Sequence, residues 1–98
     1  MTPEGKVKAE IKKGLEALGI YYFMPVQSGY GKRALDFICC YKGLFIAIEA
    51  KSGTNTPSKF QQTTMQQMEK AGAYTAVAYC WNDVIHLLRL VDTDLELE

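Results

Sequence analysis

Two apolar stretches in the middle of the chain are separated by only two residues, and this spacing constrains the fold more than any other feature. The first stretch covers 34–41 and the second covers 44–51, with Lys42-Gly43 between them. A two-residue connection of this kind is typical of a β-hairpin, whose strands pair antiparallel. We therefore predict two paired strands over these ranges.

The segments on either side of the hairpin indicate a mixed α/β fold. Apolar residues recur at helical spacing from about Thr2 to Leu18, and aromatic and branched residues over 20–26 predict a strand. A second helix is predicted to begin after Ser58 and to end at Gly72.

Two further elements complete the pattern. A buried strand is predicted over 74–80, and 82–90 is either a short helix or a final strand. The order is therefore α-β-β-β-α-β followed by a tail element, which is typical of a mixed sheet flanked by helices. The apolar stripe predicted for the second helix consists of Phe60, Thr64, Met65, Met68 and Ala71.

The composition fits one soluble domain. A chain of 98 residues, 48% hydrophobic and 22% charged, can bury a single core, and this composition excludes disordered, collagenous and coiled-coil classes. We expect one domain over 1–98 with an acidic tail over about 92–98. The apolar runs are too short to cross a membrane and the first residues lack the apolar segment of a signal peptide, so we expect a cytoplasmic protein.

The formal net charge of zero conceals a segregation of charge. Residues 1–60 hold nine Lys and Arg against five Asp and Glu, whereas 61–98 hold two against six. A basic first half can meet a polyanion, although a run of charge is also typical of a solvated surface.

Asp36 is the residue least expected at its position, because it lies in an otherwise apolar run. A buried carboxylate requires a partner. Glu49 lies near the end of the second run, and Lys51, two positions on, projects from the same face of a strand. Pairing of the two strands allows Asp36 to approach Glu49 and Lys51. The alternative is an Asp that forms a turn and an ordinary ion pair between Glu49 and Lys51.

Two carboxylates in this arrangement favour a metal ion. At about 4 Å apart they repel by roughly 4 kcal/mol at an effective dielectric constant near 20, so they either share a proton or bind a cation. Oxygen ligands suit Mg²⁺ or Mn²⁺.

Three more polar residues could support such a site. Helical geometry places Glu4 on the inward stripe of the first helix, where it either reaches the sheet or stabilises the helix N-terminus. Gln61 and Gln62 begin the second helix close to the exit of the Glu49 strand, and either could orient Lys51 or a water molecule.

A set of short motifs follows one another along residues 2–85. They are Thr2-Pro-Glu-Gly-Lys6, Gln27-Ser-Gly-Tyr-Gly31, Leu35-Asp-Phe37, Phe45-Ile-Ala-Ile-Glu-Ala-Lys51, Pro57-Ser-Lys-Phe-Gln61 and Ala71-Gly-Ala73. Together they resemble the virus-type replication-repair nuclease (VRR-NUC) domain of the PD-(D/E)XK nuclease superfamily. Leu35 departs from the superfamily, which often has Pro before the first acid; this position carries no ligand.

The resemblance implies a metal-dependent DNA endonuclease with a restriction-endonuclease-like core. The residues at the positions of the family's active site are Glu4, Asp36, Glu49, Lys51 and Gln61. Asp36, Glu49 and the backbone carbonyl of Ala50 are expected to hold Mg²⁺ or Mn²⁺, with Lys51 beside the attacking water.

The loop before Asp36 is expected to contact DNA. Lys32 and Arg33 would bind phosphate, Tyr30 would pack against sugar or base, and Ser28 lies in the same loop. Four lysines of the first helix are also candidates, although exposed helix faces are generally charged; they are Lys6, Lys8, Lys12 and Lys13.

The resemblance also implies what the enzyme would act on and how it would assemble. Stand-alone members of the family are similar to Holliday-junction resolvases, so we expect branched DNA as substrate and a homodimer as the working form. The expected setting is the cytoplasm of a bacterial or phage-infected cell, without an organic cofactor.

Two other functions stay open at this point. A non-catalytic DNA-binding module on a nuclease fold would keep the basic loop and use the acids only as ion pairs. A zinc or redox protein would use Cys39, Cys40, Cys80 and His86, but adjacent strand residues point to opposite faces and do not readily share one ion.

Overall fold

The structure is a computed structural model that describes residues 1–26 and 33–98. Its helices and strands follow the predicted order, which is thereby confirmed. They are α1 (Pro3–Ala17), β1 (Tyr21–Phe23), β2 (Phe37–Tyr41), β3 (Leu44–Ala50), α2 (Lys59–Lys70), β4 (Tyr74–Ala78) and α3 (Trp81–Glu96).

The predicted hairpin is formed by β2 and β3. Both turn residues have positive φ, 52° at Lys42 and 81° at Gly43, as a tight two-residue turn between twisted strands requires. The pairing begins at Tyr41 opposite Leu44 and ends at Phe37 opposite Ile48. The turn therefore fixes the register of the two strands from one end.

The four strands form one mixed sheet in the order β1-β2-β3-β4. The first three strands are antiparallel neighbours, and β4 pairs with β3 in parallel. A parallel pair needs a crossover connection, which α2 supplies between β3 and β4. The C-terminal ends of β3 and β4 therefore lie side by side.

Helices cover the two faces of the sheet unequally. Alternate strand residues such as Phe37, Ile46 and Ile48 form the main core with the apolar sides of α1 and α3. The opposite face forms a smaller core of Leu35, Ile38 and Ala47, against which two methionines of α2 pack. Because α2 covers its face of the sheet less completely than α1 and α3 cover theirs, space remains on the α2 side.

The packing of α1 on α3 depends on a glycine. A Cβ added at Gly14 would lie 2.4 Å from the indole ring of Trp81. The backbone N–H of Trp81, at the start of α3, donates to a carboxylate oxygen of Glu10 at 2.9 Å. The first turn of α3 is thus held by a side chain from α1.

Several predicted boundaries were wrong. Asp36 lies in a bend just before β2 rather than within the strand, and β1 is only three residues long. The tail element is a helix that continues to Glu96, not a short helix or strand over 82–90. Phe60, assigned to the apolar stripe of α2, is 66% exposed, because the buried side of the helix is turned toward Thr64 instead.

The acidic residues near the C-terminus contact the sheet. The carboxylate of Asp92 accepts hydrogen bonds from the Tyr41 hydroxyl at 2.9 Å and from the Lys42 ammonium at 2.6 Å. Asp94 accepts one from the Tyr74 hydroxyl at 2.7 Å. No helix within the described part of the chain is long and apolar enough to span a membrane.

Candidate active site

The register of the hairpin brings the two predicted acids face to face. Pairing ends at Phe37 opposite Ile48, so one further position along each strand sets Asp36 opposite Glu49. Residues that are opposite in an antiparallel pair lie on the same face of the sheet. A shift of one residue in the pairing would therefore separate these carboxylates.

Asp36 is fixed by the backbone of the neighbouring strand. Its Oδ2 accepts a hydrogen bond from the backbone N–H of Ala50 at 3.0 Å. The bond crosses from the bend before β2 to the end of β3, where the ladder between these strands has already ended. The carboxylate thus replaces a backbone partner and is held in one orientation.

Glu49 is the most unusual ionisable group of the site. It is only 2% exposed. Burial and, after it, the negative charge of Asp36 raise the pKa of Glu49 to about 7, against the opposing effect of Lys51 and of a hydrogen bond from the Asp36 backbone. Glu49 is therefore easier to protonate than an exposed carboxylate, chiefly because it is buried and secondly because Asp36 lies nearby.

Gln61 connects the start of α2 to Glu49. Ser58 caps the helix by accepting from the Gln61 backbone N–H at 3.1 Å, and the Ser58 backbone N–H donates to Gln61 Oε1 at 2.9 Å. Since the amide oxygen is occupied by this bond, the amide nitrogen is free to turn toward the sheet. It donates to Glu49 Oε2 at 2.7 Å.

Lys51 approaches the same carboxylate oxygen from the end of β3. Its Nζ lies 3.5 Å from Glu49 Oε2, and its side chain is 14% exposed. Its backbone N–H donates to the carbonyl of Ala78 at 3.0 Å, which ties the residue to the end of β4. The ammonium group is therefore positioned by the parallel pair of strands.

Glu4 reaches the acid pair through Lys8. The Lys8 ammonium lies 3.4 Å from Glu4 Oε2 and 3.5 Å from Asp36 Oδ1. The two acids raise the pKa of Lys8, against the effect of partial burial, which is the largest single influence and lowers it. Lys8 thus places a second cation beside Asp36, whereas Lys51 contacts Glu49.

Asp36, Glu49 and Gln61 border an open cavity of about 190 Å³. The cavity lies on the α2 side of the sheet, and the residues that line it are Arg33, Ala34, Asp36, Glu49, Gln61 and Thr64. The guanidinium of Arg33 lies 4.7 Å from the centre of the Phe60 ring at the rim.

The donor set suits a hard divalent cation. The two carboxylates offer oxygen atoms, the type of ligand that Mg²⁺ and Mn²⁺ prefer, and a bound cation would offset the negative charge of Asp36 that, after burial, raises the Glu49 pKa. Among residues 1–26 and 33–98, no group of three His, Cys, Asp or Glu side chains is close enough to hold a metal ion. Such an ion would therefore rely on two carboxylates, a main-chain oxygen and solvent or substrate oxygens.

The cysteines are not arranged as a metal centre. Cys39 is buried in the main core, whereas its neighbour Cys40 is exposed on the other face of the sheet. Burial raises the pKa of the Cys39 thiol to about 12, which disfavours the thiolate that zinc needs. The zinc alternative has no support in the described residues.

The structure brings together most of the residues that the sequence singles out. Asp36, Glu49, Lys51 and Gln61 contact one another directly or through one partner, and Arg33 lines their cavity. Ser28, Tyr30 and Lys32 lie outside the described residues. The contact of Lys8 with Asp36 was missed, although its position one helical turn after Glu4 was a usable signal. Glu4 was predicted to face inward, but its side chain is 37% exposed and contacts Lys8.

A search of solved structures finds a similar VRR_NUC domain. The TM-score is 0.76 and the sequence identity 24%, and the match covers 91% of this chain and 97% of that chain. No protein-family model and no curated protein matches the sequence. The fold is therefore shared with that domain and is built on a mixed sheet flanked by helices. More narrowly, the chain has the fold of a VRR_NUC domain, and the resemblance indicated by the motifs is confirmed at the level of the fold.

Proposed function

We propose that this protein is a metal-dependent endonuclease that hydrolyses phosphodiester bonds in branched DNA. The observation that carries the proposal is the pair of carboxylates at the end of the hairpin, Asp36 and Glu49, with Lys51 beside them. Burial of Glu49 without full charge compensation is a cost in stability that a purely structural ion pair does not require. The fold of a VRR_NUC domain supports the same reading.

Asp36, Glu49 and the Ala50 carbonyl would hold the cation. When bound, Mg²⁺ or Mn²⁺ supplies Lewis-acid activation of the phosphodiester and of the attacking water. The protein's part is to present these oxygens in a fixed geometry. The Ala50 N–H orients Asp36, and the Gln61 amide orients Glu49.

Lys51 would act on the reacting groups. Its ammonium can orient the attacking water and stabilise the additional negative charge of the transition state, a contribution of about 3 kcal/mol for one well-placed group. Gln61 acts as a positioning residue, because it contacts Glu49 rather than the substrate. Glu4 acts at one further remove, through Lys8.

DNA would enter along the open side of the cavity. Arg33 offers a guanidinium at the rim, and we propose that Ser28, Tyr30 and Lys32, which precede it in the sequence, contact the same DNA strand. We further propose a homodimer, because cleavage of two strands at a junction is simplest with two equivalent sites. A monomer at micromolar concentration, measured by light scattering after size-exclusion chromatography, would contradict the dimer.

The test is cleavage of a panel of labelled junctions, flaps, nicked and plain duplexes with Mg²⁺, compared with EDTA. Asp36→Ala, Glu49→Gln and Lys51→Ala proteins, shown to be folded by circular dichroism, are expected to lose cleavage. Glu69→Gln makes the same chemical change at an exposed carboxylate of α2 and should keep it. Undiminished cleavage by the folded Asp36→Ala and Lys51→Ala proteins would refute the assignment.

Calorimetry separates this enzyme from a non-catalytic DNA-binding module. An enzyme of the proposed kind binds Mn²⁺ through Asp36 and Glu49, and both single variants lose that heat. A module that uses the acids only as ion pairs binds DNA and shows no cation binding that depends on them.

A further inference from the structure

We propose that Arg33 and Phe60 form a stacking platform that receives an unpaired base of the DNA strand bound at the site, an inference that rests on the proposed nuclease function. The platform is defined by these two side chains, with the guanidinium 4.7 Å from the ring centre. It would make the enzyme select DNA with unpaired bases near the cut.

The exposure of Phe60 is the first step. The ring belongs to the second residue of α2 and is 66% exposed, although the same helix packs methionines on the sheet. A phenyl ring has no hydrogen-bonding group, so an exposed face can recognise a ligand only by apolar contact or stacking. Arg33 holds a planar cation over the ring, which orders both side chains before a ligand arrives.

The position of the platform is the second step. Phe60 directly precedes Gln61, whose amide contacts Glu49, and Arg33 lines the cavity that contains Asp36 and Glu49. A phosphate bound beside these acids would therefore have its neighbouring nucleotide at the platform. Arg33 also lines a second cavity, of about 180 Å³, on the α2 surface beside Gln67 and Met68, so space for a base continues past the guanidinium.

The chemistry of the ligand is the third step. Bases inside a duplex are stacked on both faces and cannot reach an aromatic side chain, whereas an unpaired base offers a free π-face. Stacking on aromatic side chains is tolerant of sequence, because every base has such a face. The platform therefore predicts selection by DNA structure rather than by sequence.

The experiment measures binding in EDTA, so that no cleavage is needed. Fluorescence anisotropy compares a blunt duplex with a forked duplex that has the same paired region, and 2-aminopurine in the unpaired arm reports stacking. Phe60→Ala is expected to weaken binding of the forked DNA about 5- to 150-fold and to change blunt-duplex binding by less than about twofold. Phe60→Trp should retain both the affinity and the 2-aminopurine signal.

Two controls separate stacking from charge and from loss of exposed apolar surface. Phe45→Ala removes another exposed ring, 49% accessible and at the opposite end of β3 from Glu49, and should leave both affinities unchanged. Phe60→Ala should keep the slope of log affinity against log salt, whereas Arg33→Ala should reduce it by about one.

Equal weakening of both DNAs by Phe60→Ala, or no weakening of either, would overturn the platform. A change in oligomeric state on Phe60→Ala would also overturn it, since the ring would then contact a second copy of the chain. These outcomes differ from failure of the proposed function, in which the unaltered protein with Mg²⁺ leaves every DNA in the panel intact.

Discussion

The ammonium group of Lys8 lies 3.5 Å from Oδ1 of Asp36, the oxygen that the Ala50 N–H leaves unbonded. Glu4, one helical turn earlier, holds the same ammonium at 3.4 Å. Both oxygens of Asp36 therefore have partners within the protein. A divalent cation at this carboxylate would meet a positive charge already in contact with it.

Replacement of Lys8 by an uncharged residue is thus expected to strengthen binding of a divalent cation at Asp36. Lys8→Ala should tighten binding of Mn²⁺ about fivefold, because a partly exposed charge at this distance contributes about 1 kcal/mol. Isothermal titration calorimetry measures the change. Lys12→Ala, an exposed lysine of the same helix, should have no effect. Unchanged or weaker Mn²⁺ binding by Lys8→Ala would show that Lys8 does not oppose the cation.

The stability of the protein should depend on pH through Glu49. Its pKa rises from 4.5 to about 7 on folding, so the folded state binds more protons than the unfolded state between these pH values. The free energy of unfolding should therefore fall as pH increases from about 4.5 to 7, by up to about 3 kcal/mol. Urea denaturation in EDTA measures it.

The control for this pH dependence removes the titrating group. Glu49→Gln keeps the shape of the side chain and should flatten the curve over the same interval, whereas Glu69→Gln at the surface should follow the parent. Parallel curves for the parent and Glu49→Gln would contradict the raised pKa.

Gln61 should affect both helix stability and the site. Gln61→Ala removes one half of the capping box at Ser58, at a cost of about 1 kcal/mol of unfolding free energy, and removes the hydrogen bond that favours ionised Glu49. Loss of that hydrogen bond should raise the Glu49 pKa further. The fall of the unfolding free energy with increasing pH should therefore continue to a higher pH in Gln61→Ala than in the parent. Gln62→Ala, which loses only a bond to the Pro57 carbonyl, provides the neighbouring comparison. A pH profile identical to that of Gln62→Ala would refute the link to Glu49.

Any side chain larger than hydrogen at position 14 should lower the stability of the protein. Alanine is the better helix former by about 1 kcal/mol, but a methyl group 2.4 Å from the Trp81 ring forces α1 and α3 apart. We expect Gly14→Ala to lose about 1–3 kcal/mol of unfolding free energy. Chemical denaturation of Gly14→Ala, Trp81→Ala and the double variant tests the cause. A double variant no better than the sum of its single variants would place the cost elsewhere.

The sequence predicts this fold well where local signals are strong. The Lys42-Gly43 turn between apolar runs determines the hairpin, and Ser58 marks the start of α2, because turn and cap geometry depend on only a few residues. The length of α3 was underestimated, since its acidic last turn has weak apolar periodicity. The last turns of α3 are stabilised instead by hydrogen bonds that Asp92 and Asp94 accept from tyrosines distant in sequence.

The sequence singles out residues of the candidate site but does not predict their burial or all of the contacts among them. Buried-strand context singled out Asp36 and Glu49, because a carboxylate there needs a partner. The burial of Glu49 and the contact of Lys8 with Asp36 depend on how α2 and α1 pack on the sheet, which no local pattern specifies. The exposed ring of Phe60 was missed for the same reason, as its helical spacing alone is typical of core.

The tight turn also sets a counting rule for the hairpin. Asp36 lies five positions before Tyr41, and Glu49 lies five positions after Leu44. A single insertion in either arm would break this symmetry, and one in each arm would restore the facing pair but rotate it toward α1 and α3. Matched insertions of two residues per arm would lengthen the hairpin while returning both acids to the α2 side, so balanced, even changes of length preserve the facing pair.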